Sequence, residues 1–309
     1  MAEGSPLTWR DWLQGARLRT LPLALSPIIL GSASALWQGD FSATIAGLAL
    51  LVALALQVGV NFANDYSDGI RGTDDYRVGP TRLVASGKVE PRKVLQAALG
   101  AFGLAGVAGV VLLVLGRLDV LLDDGFLGWL ASVWPVLALG VIALVAAWFY
   151  TGGAKPYGYR GFGEVVVFIF FGPMATLGTA WAMIGSIPFD AVFSSVGAGS
   201  FASAVLLVNN IRDREQDREA DKITLAVRLG HRGSVTLLVV LVGVPYVMVG
   251  ILSLFFLWAP AAYLTSLLTL WALIQVFLAR SPQDLIKALG ALSLNALAYA
   301  LFLGVAIAW

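Results

Sequence analysis

The sequence of 309 residues contains no cysteine, a single histidine and few charged residues, which make up 13% of the chain. Without cysteine, a disulfide framework, a thiolate nucleophile and a zinc–thiolate site are all excluded. Low charge combined with 59% hydrophobic residues excludes a soluble enzyme. The chain consists instead of repeated apolar runs of about 20 residues, a pattern typical of a polytopic α-helical membrane protein.

Apolar segments of bilayer length predict nine membrane-spanning helices. We place them at 21–38, 44–63, 93–115, 127–149, 163–185, 190–209, 235–256, 259–279 and 285–308. Pro245, Pro260 and Pro282 can kink or end helices, so the count is open by one. We expect one polytopic membrane domain, 1–309, with cytoplasmic motif loops at about 64–92 and 210–234.

Basic residues are distributed unevenly between the two sets of loops. With nine spans, every Lys and Arg except Arg117 falls in the N-terminal segment or in loops on the same side of the membrane. Because basic residues are retained in cytoplasmic loops, we expect a cytoplasmic N-terminus and an outer C-terminus in the cell (plasma or inner) membrane. The first segment also resembles a cleavable signal peptide, but its apolar run continues to Trp37.

Two polar segments begin at the predicted cytoplasmic ends of apolar spans. If the second helix continues through the first segment, four side chains share one helical face: Asn61, Asn64, Asp65 and Asp68. The second segment predicts a similar face: Asn210, Asp213, Asp217 and Asp221. Clustered carboxylates repel one another and lose solvation near a bilayer, so we expect a cation to compensate them.

The ligand chemistry of these segments favours a hard cation. Oxygen ligands without cysteine or a matching histidine are typical of Mg²⁺ or Mn²⁺. Since Mg²⁺ commonly takes one or two protein carboxylates and completes its shell with water and phosphate oxygens, two facing stripes indicate ions that clamp a diphosphate. The alternative is a solvated loop in which Asp and Arg pair with each other.

The same residues resemble the UbiA superfamily of intramembrane prenyltransferases, which carry an Asn-x-x-x-Asp-x-x-x-Asp motif after the second helix and an Asp-x-x-x-Asp motif after the sixth. Asn64 and Asp68 match the first motif, and Asp213 and Asp217 match the second. Gly72 stands at the third position of the first motif, two residues before Asp74. A glycine at this position is similar to the branch of the family that acts on 1,4-dihydroxy-2-naphthoate. Three further stretches resemble the same branch: Gly79–Gly87, Tyr150–Tyr159 and Lys222–Arg228.

The resemblance implies an all-α integral membrane fold of nine helices around a central cavity. It also implies Mg²⁺-dependent transfer of a polyprenyl group from polyprenyl diphosphate to 1,4-dihydroxy-2-naphthoate, with loss of CO₂, giving demethylmenaquinone. Membrane lipids are the other expected partner, and no nucleic acid is expected.

The resemblance also implies a set of site residues. The expected catalytic carboxylates are Asp65, Asp68 and Asp213, and the expected metal ligands are Asn64, Asp65, Asp68, Asp74, Asp213 and Asp217. Arg82, Lys155 and Lys222 are expected at the diphosphate, with ordinary positive-inside charge as the alternative. Contacts to the acceptor or the allylic cation are expected from Arg17, Arg19, Tyr150 and Tyr157. An interfacial aromatic belt is the alternative for the two tyrosines.

Two other functions stay open at this point. An ion-coupled transporter also carries acids at the ends of spans, although the acids here cluster at one face of the membrane. A UbiA-type enzyme for another acceptor, such as homogentisate, 4-hydroxybenzoate, haem or a chlorophyll precursor, would share the aspartate motifs.

Overall fold

The computed structural model describes residues 8–73 and 82–309, and every regular element in these two ranges is helical. Eight helical segments are long and apolar enough to cross a membrane: Ala43–Arg71, Pro91–Gly116, Gly125–Phe149, Gly163–Ile184, Phe189–Arg212, Leu225–Leu252, Ala259–Leu278 and Asp284–Ala308. Each overlaps one of the predicted spans after the first. The prediction of an all-helical, multi-pass membrane fold is therefore confirmed.

Thirteen α-helices occur in the described part of the chain. They are α1 (Trp9–Gly15), α2 (Pro22–Gln38), α3 (Ala43–Arg71), α4 (Pro91–Gly116), α5 (Leu118–Asp123), α6 (Gly125–Phe149), α7 (Gly163–Ile169), α8 (Ala175–Ile184), α9 (Phe189–Arg212), α10 (Arg214–Glu219), α11 (Leu225–Leu252), α12 (Ser266–Leu278) and α13 (Asp284–Ala308). A π-helical turn, Phe170–Met174, joins α7 to α8, and a 3₁₀ segment, Ala259–Thr265, leads into α12.

The first predicted span corresponds to α2, which has 17 residues and is at the short end of helices that cross a bilayer. Pro22 occupies its first turn, where the missing N–H costs no hydrogen bond. The helix ends at Gly39, whose φ of 85° is readily available only to glycine. α2 packs mainly against α13, α8 and α9.

The main core forms around α9 and α13, which are the most buried of the candidate spans. Small residues allow close helix approach, as is common in membrane proteins. At Gly199 in α9, an added Cβ would lie 2.6 Å from the carbonyl oxygen of Phe168 and 3.2 Å from the Cα of Gly172. This crossing fixes α9 against α7 and the π-helical turn, which lie beside the site described below.

α6 is much less buried than α9, and a large cavity lies between it and the rest of the bundle. The cavity measures about 1710 Å³, and apolar side chains from α3, α4, α6, α8 and α9 form most of its wall. Its polar end lies beside the C-terminal half of α3, where Asn61, Asn64 and Asp65 contribute to the wall. The cavity thus extends from a polar region into an apolar interior.

The two polar stripes differ in their backbone structure. α3 continues through the first stripe to Arg71, as predicted, and stops at Gly72, which has a φ of 73° and ends the helix. The unusual glycine of the first motif is therefore a helix cap. In the second stripe, α9 ends at Arg212 and α10 begins after Asp213, so the prediction of one continuous face is wrong. Asp221 lies beyond α10, is exposed and has a φ of 53°.

The close helix crossing at Gly199 predicts that a larger residue there lowers the stability of the fold. Gly199→Ala should destabilise the protein by roughly 1–3 kcal/mol, because the new methyl group has to displace backbone of the neighbouring segment. Thermal unfolding of the purified protein in detergent measures this effect. Gly47→Ala in α3 is the matched control, since an added Cβ there meets nothing within 4 Å. An equal melting temperature for both variants would contradict the close crossing.

Candidate active site

Residues from the C-terminal ends of α3 and α9 line a small polar pocket of about 50 Å³, whereas the second-motif aspartates Asp213 and Asp217 are not on its wall. Its wall consists of Arg17, Asn64, Asp68, Tyr150, Thr151, Leu206, Asn209, Asn210 and Lys222. The ends of α3 and α9 therefore meet here, as the paired motifs predicted. Arg17, Asn64, Tyr150, Leu206 and Asn209 also line the large cavity, so the polar pocket and the apolar cavity adjoin.

The end of α3 is hydrogen-bonded to the segment that follows α6. The hydroxyl of Thr151 donates to Oδ1 of Asn64 at 2.7 Å, and the hydroxyl of Tyr159 donates to Oδ1 of Asp68 at 2.6 Å. Arg71 donates to the carbonyl oxygens of Thr151 and Gly153. Both motif side chains are thus held in one orientation.

Tyr159 remains a hydrogen-bond donor over the whole physiological pH range. Its burial and the adjacent carboxylate of Asp68 raise the pKa of its phenol above the ordinary value, because both disfavour the phenolate. The ammonium of Lys222 lies 5.3 Å from the centre of the Tyr159 ring, and the guanidinium of Arg71 lies 5.4 Å from it. Tyr159 therefore connects the two motif segments, since Lys222 follows the second one.

The carboxylates of the second motif are paired with basic side chains. Arg212 donates to both oxygens of Asp213 at 2.6 and 2.8 Å, and its Nη2 also donates to Oδ1 of Asn209 at 2.8 Å. Lys222 lies 3.2 Å from Oδ1 of Asp217. Asp213 and Asp217 are 1% and 6% exposed, so these ion pairs compensate charges that have lost most of their hydration.

Asp65 has a different environment from Asp68. Its two carboxylate oxygens accept hydrogen bonds from the backbone N–H groups of Leu83 and Val84, both at 2.9 Å, and its side chain is fully buried. The sequence predicted a metal ligand at this position. That role stays a prediction; in the structure, the two hydrogen bonds make Asp65 an anchor for the segment after residue 82.

That same segment is also bound to α1. Lys88 donates to Oδ1 of Asp11 at 2.6 Å, which lowers the pKa of Asp11 to about 2. Thr8 donates to the other oxygen of this carboxylate. The N-terminal helix and the 82–90 segment therefore cover the end of α3 together.

The basic and aromatic residues predicted to bind the substrates differ in where they lie. Lys222 lies on the wall of the polar pocket, Arg82 lies on the wall of the large cavity, and Lys155 is exposed and is on neither wall. Lys155 is on the surface because it follows the glycine turn at 152–153. Tyr150 and Tyr157 form an edge-to-face pair at 5.6 Å on the cavity wall. Asp74 and the side chain of Arg19 lie outside the described part.

Sequence reasoning missed several polar residues of the site. Glu164 is 4% exposed, and its Oε1 accepts a hydrogen bond from Nδ2 of Asn210 at 2.9 Å. In the sequence, Glu164 is marked only as a single acidic residue at the start of an apolar span. The contact of Asn209 with Asp213 was visible as the spacing Asn209-x-x-x-Asp213, which repeats Asn64-x-x-x-Asp68. Tyr159 ends the Tyr150–Tyr159 stretch that carries part of the family resemblance, but nothing in the sequence indicated its contact with Asp68.

Comparison with known proteins decides the family. The model of the UbiA prenyltransferase family matches residues 24–303. The chain belongs to the UbiA prenyltransferase family. A family member from Mycobacterium tuberculosis, named 1,4-dihydroxy-2-naphthoate octaprenyltransferase, is 42% identical over 302 residues, which cover 98% of each chain.

Solved structures of the UbiA family share the same fold. The apo structure of a UbiA homolog from Aeropyrum pernix superposes with a TM-score of 0.66 at 15% identity, over 90% of this chain and 96% of that one. A homolog from Archaeoglobus fulgidus bound to DMAPP and Mg²⁺ gives a TM-score of 0.61 at 16% identity, over 96% and 99% of the two chains. This architecture is therefore common to distant UbiA proteins.

If Asp65 anchors the 82–90 segment, its loss should expose the backbone N–H groups of that segment to hydrogen exchange. Asp65→Ala should leave the N–H groups of Leu83 and Val84 without their acceptors, at a cost of about 1.5–3 kcal/mol per bond. Hydrogen exchange of the peptide containing 82–90, followed by mass spectrometry, should then be at least about tenfold faster. Asp68→Asn is the control, because Asp68 accepts a hydrogen bond from Tyr159, whereas the N–H groups of Leu83 and Val84 are bound by Asp65. Unchanged exchange in Asp65→Ala would show that other contacts hold the segment.

Proposed function

We propose that this protein transfers a polyprenyl group from polyprenyl diphosphate to 1,4-dihydroxy-2-naphthoate. The observation that carries this proposal is the junction between the polar pocket and the large apolar cavity, which share Arg17, Asn64, Tyr150 and Asn209 on their walls. A substrate with an anionic head and a long hydrocarbon tail matches both environments at once. The aromatic acceptor is inferred from the name of the Mycobacterium tuberculosis relative, which is similar over 98% of both chains.

The donor set of the polar pocket fits a hard divalent cation, for which we propose Mg²⁺, with Mn²⁺ as the alternative. The oxygen atoms of Asn64 and Asp68, on the pocket wall, would hold one such ion, and those of Asp213 and Asp217 would hold a second. In residues 8–73 and 82–309, no group of three His, Asp or Glu side chains converges on one point. Each ion would take one or two protein carboxylates and complete its shell with diphosphate and water oxygens. When bound, the metal would neutralise charge that develops on the departing diphosphate.

Basic side chains would bind the same head group. Arg17 and Lys222 line the polar pocket, so we assign both to the diphosphate rather than placing Arg17 at the acceptor. The bond between the allylic carbon and the diphosphate oxygen breaks in the transition state, and negative charge accumulates on the leaving group. Fixed cationic groups stabilise this charge more than that of the intact donor, which lowers the barrier.

The apolar cavity would protect the allylic cation. Its wall of hydrocarbon side chains accommodates the isoprenoid tail and keeps water away from the reactive carbon. Tyr150 and Tyr157 lie on this wall near the polar pocket, where their ring faces can stabilise positive charge. Burial raises the pKa of Tyr157, so its phenol stays neutral and donates to the carbonyl oxygen of Ala146.

The transfer to the aromatic acceptor needs no oxidant. A carbon of the electron-rich naphthalene ring bonds to the allylic carbon, and the allylic C–O bond breaks with its electron pair on the departing diphosphate. The carboxylate leaves as CO₂ and its bonding pair stays with the ring, so the new C–C bond replaces the bond to the carboxylate with no net gain or loss of a proton. The immediate product is demethylmenaquinone in its quinol form. Exclusion of water by the cavity favours carbon attack over hydrolysis of the cation.

We also propose nine membrane spans in a single domain, with α2 as the first. The eight longer spans plus α2 leave the N-terminus and the C-terminus on opposite sides. Every basic residue except Arg117 then falls on one side, which supports a cytoplasmic N-terminus in the plasma membrane. This orientation places both aspartate motifs on the cytoplasmic side.

The chemistry is tested with purified protein reconstituted in lipid. We expect Mg²⁺-dependent prenylation of 1,4-dihydroxy-2-naphthoate by a polyprenyl diphosphate, with release of CO₂. Asp68→Asn and Asp213→Asn should each lower kcat by at least about 100-fold, because each removes a carboxylate ligand of the cation that would neutralise the departing diphosphate. Removal of the metal by a chelator should abolish turnover, and added Mg²⁺ should restore it.

The possible results of this assay separate the parts of the proposal. Turnover with 4-hydroxybenzoate or homogentisate in place of 1,4-dihydroxy-2-naphthoate would refute the acceptor and keep the donor chemistry. Absence of diphosphate release with every acceptor would refute the enzymatic function. Full activity of both variants would refute the assigned site.

The topology is tested with single cysteines, because the natural chain has none. Ser186→Cys lies in the exposed turn between α8 and α9, and Ala154→Cys lies in the exposed segment after α6. In intact cells, a membrane-impermeant maleimide should label position 186 and not position 154. The opposite pattern would invert the proposed orientation, and labelling of both positions would contradict the number of spans between them.

A further inference from the structure

Arg17 reaches the polar pocket from an unusual backbone conformation. Its φ of 54° and ψ of 58° lie in the left-handed region, which residues with a Cβ rarely adopt. Such a conformation persists only where surrounding contacts hold it. We define residues 16–20 as the Arg17 turn, which joins α1 to α2.

Two amide side chains of α3 hold the two ends of this turn. Nδ2 of Asn61 donates to the carbonyl oxygen of Ala16 at 2.9 Å. Nε2 of Gln57 donates to the carbonyl oxygen of Thr20 at 2.6 Å and to its hydroxyl at 3.0 Å. The hydroxyl of Thr20 in turn donates to the carbonyl oxygen of Arg17 at 3.0 Å. Each flank of the strained residue is therefore tied to the same helix.

Gln57 and Asn61 are well suited to this task. Both are 7% exposed, and they lie four residues apart on one face of α3, so they present two donors to the turn at a fixed separation. The same helix carries Asn64 and Asp68, which line the polar pocket together with Arg17. One rigid element thus sets the position of Arg17 relative to the motif side chains.

We propose that Asn61 and Gln57 are positioning residues that act on donor binding through Arg17. They hold the Arg17 turn in its left-handed conformation and thereby keep Arg17 on the wall of the polar pocket that it shares with Asp68 and Lys222, where it binds the diphosphate of the donor. This inference rests on the proposed function, because it takes the anion in the pocket to be an allylic diphosphate.

A double-mutant cycle tests whether Asn61 acts through Arg17. The variants are Asn61→Leu, which removes the amide donor and keeps a side chain branched at Cγ, Arg17→Ala, and the two combined. Affinity for farnesyl diphosphate with Mg²⁺ is measured on the purified full-length protein, independently of any acceptor. We expect Asn61→Leu to weaken binding about tenfold in the natural background and less than about twofold when Arg17 is already alanine. Gln57→Leu should behave in the same way.

Asn295→Leu is the matched control for the loss of a buried amide. Asn295 in α13 is fully buried, its Nδ2 donates to Thr269 at 2.7 Å, and it lies on neither the polar pocket nor the large cavity. We expect it to lower the melting temperature about as much as Asn61→Leu does, with no change in farnesyl diphosphate affinity. The comparison separates a general loss of stability from misplacement of Arg17.

Each outcome decides the inference. Equal losses on substituting Asn61 in both backgrounds would overturn it, because Asn61 would then act independently of Arg17. A loss of affinity in Asn295→Leu would also overturn it in favour of a general stability effect. If the natural protein binds farnesyl diphosphate but does not prenylate 1,4-dihydroxy-2-naphthoate, the proposed acceptor fails while the cycle still decides the role of Asn61. If it binds no allylic diphosphate, both proposals fail.

Discussion

The hydrogen bonds of one polar face of α3 hold the other parts of the site in place. Along this helix, Gln57 and Asn61 bind the Arg17 turn, Asp65 binds the backbone after residue 82, and Asn64 and Asp68 bind the segment after α6. Three separate segments are therefore fixed to one straight element. Because the helix is rigid, their relative positions are set before any substrate binds, which is the condition for efficient electrostatic stabilisation.

The second motif is organised differently, by ion pairs rather than by bonds to distant loops. Asp213 lies at the break between α9 and α10 and is bound on both oxygens by Arg212, while Asp217 is paired with Lys222. These charges are buried beside an apolar cavity, and each carboxylate is compensated by a neighbouring basic side chain. An incoming diphosphate and its cation would exchange partners with an existing network of matched charges.

The spans and the first motif were well predicted from local pattern. Apolar length alone located the helices to within a few residues for most spans, because a segment in the bilayer has to satisfy its backbone internally. The continuation of α3 through Asn64 and Asp68 followed from the i, i+3, i+4 spacing. The prediction for Asp221 was wrong because the same spacing rule assumes an unbroken helix, and α9 ends at Arg212. Helix ends depend on local capping and packing, which periodicity does not register.

The roles of individual side chains depended on contacts distant in sequence. Asp65 and Asp68 are three residues apart and chemically identical, yet one binds backbone N–H groups at residues 83 and 84 and the other faces the polar pocket. Lys155 and Lys222 are both basic residues of the same set of loops, but only Lys222 lines that pocket.

The membrane class, the helices and the family could be predicted from residue type and from spacing along the chain. The contacts in the polar pocket, its junction with the apolar cavity and the bonds that hold Arg17 join segments that are distant in sequence, so they became visible only in the folded protein.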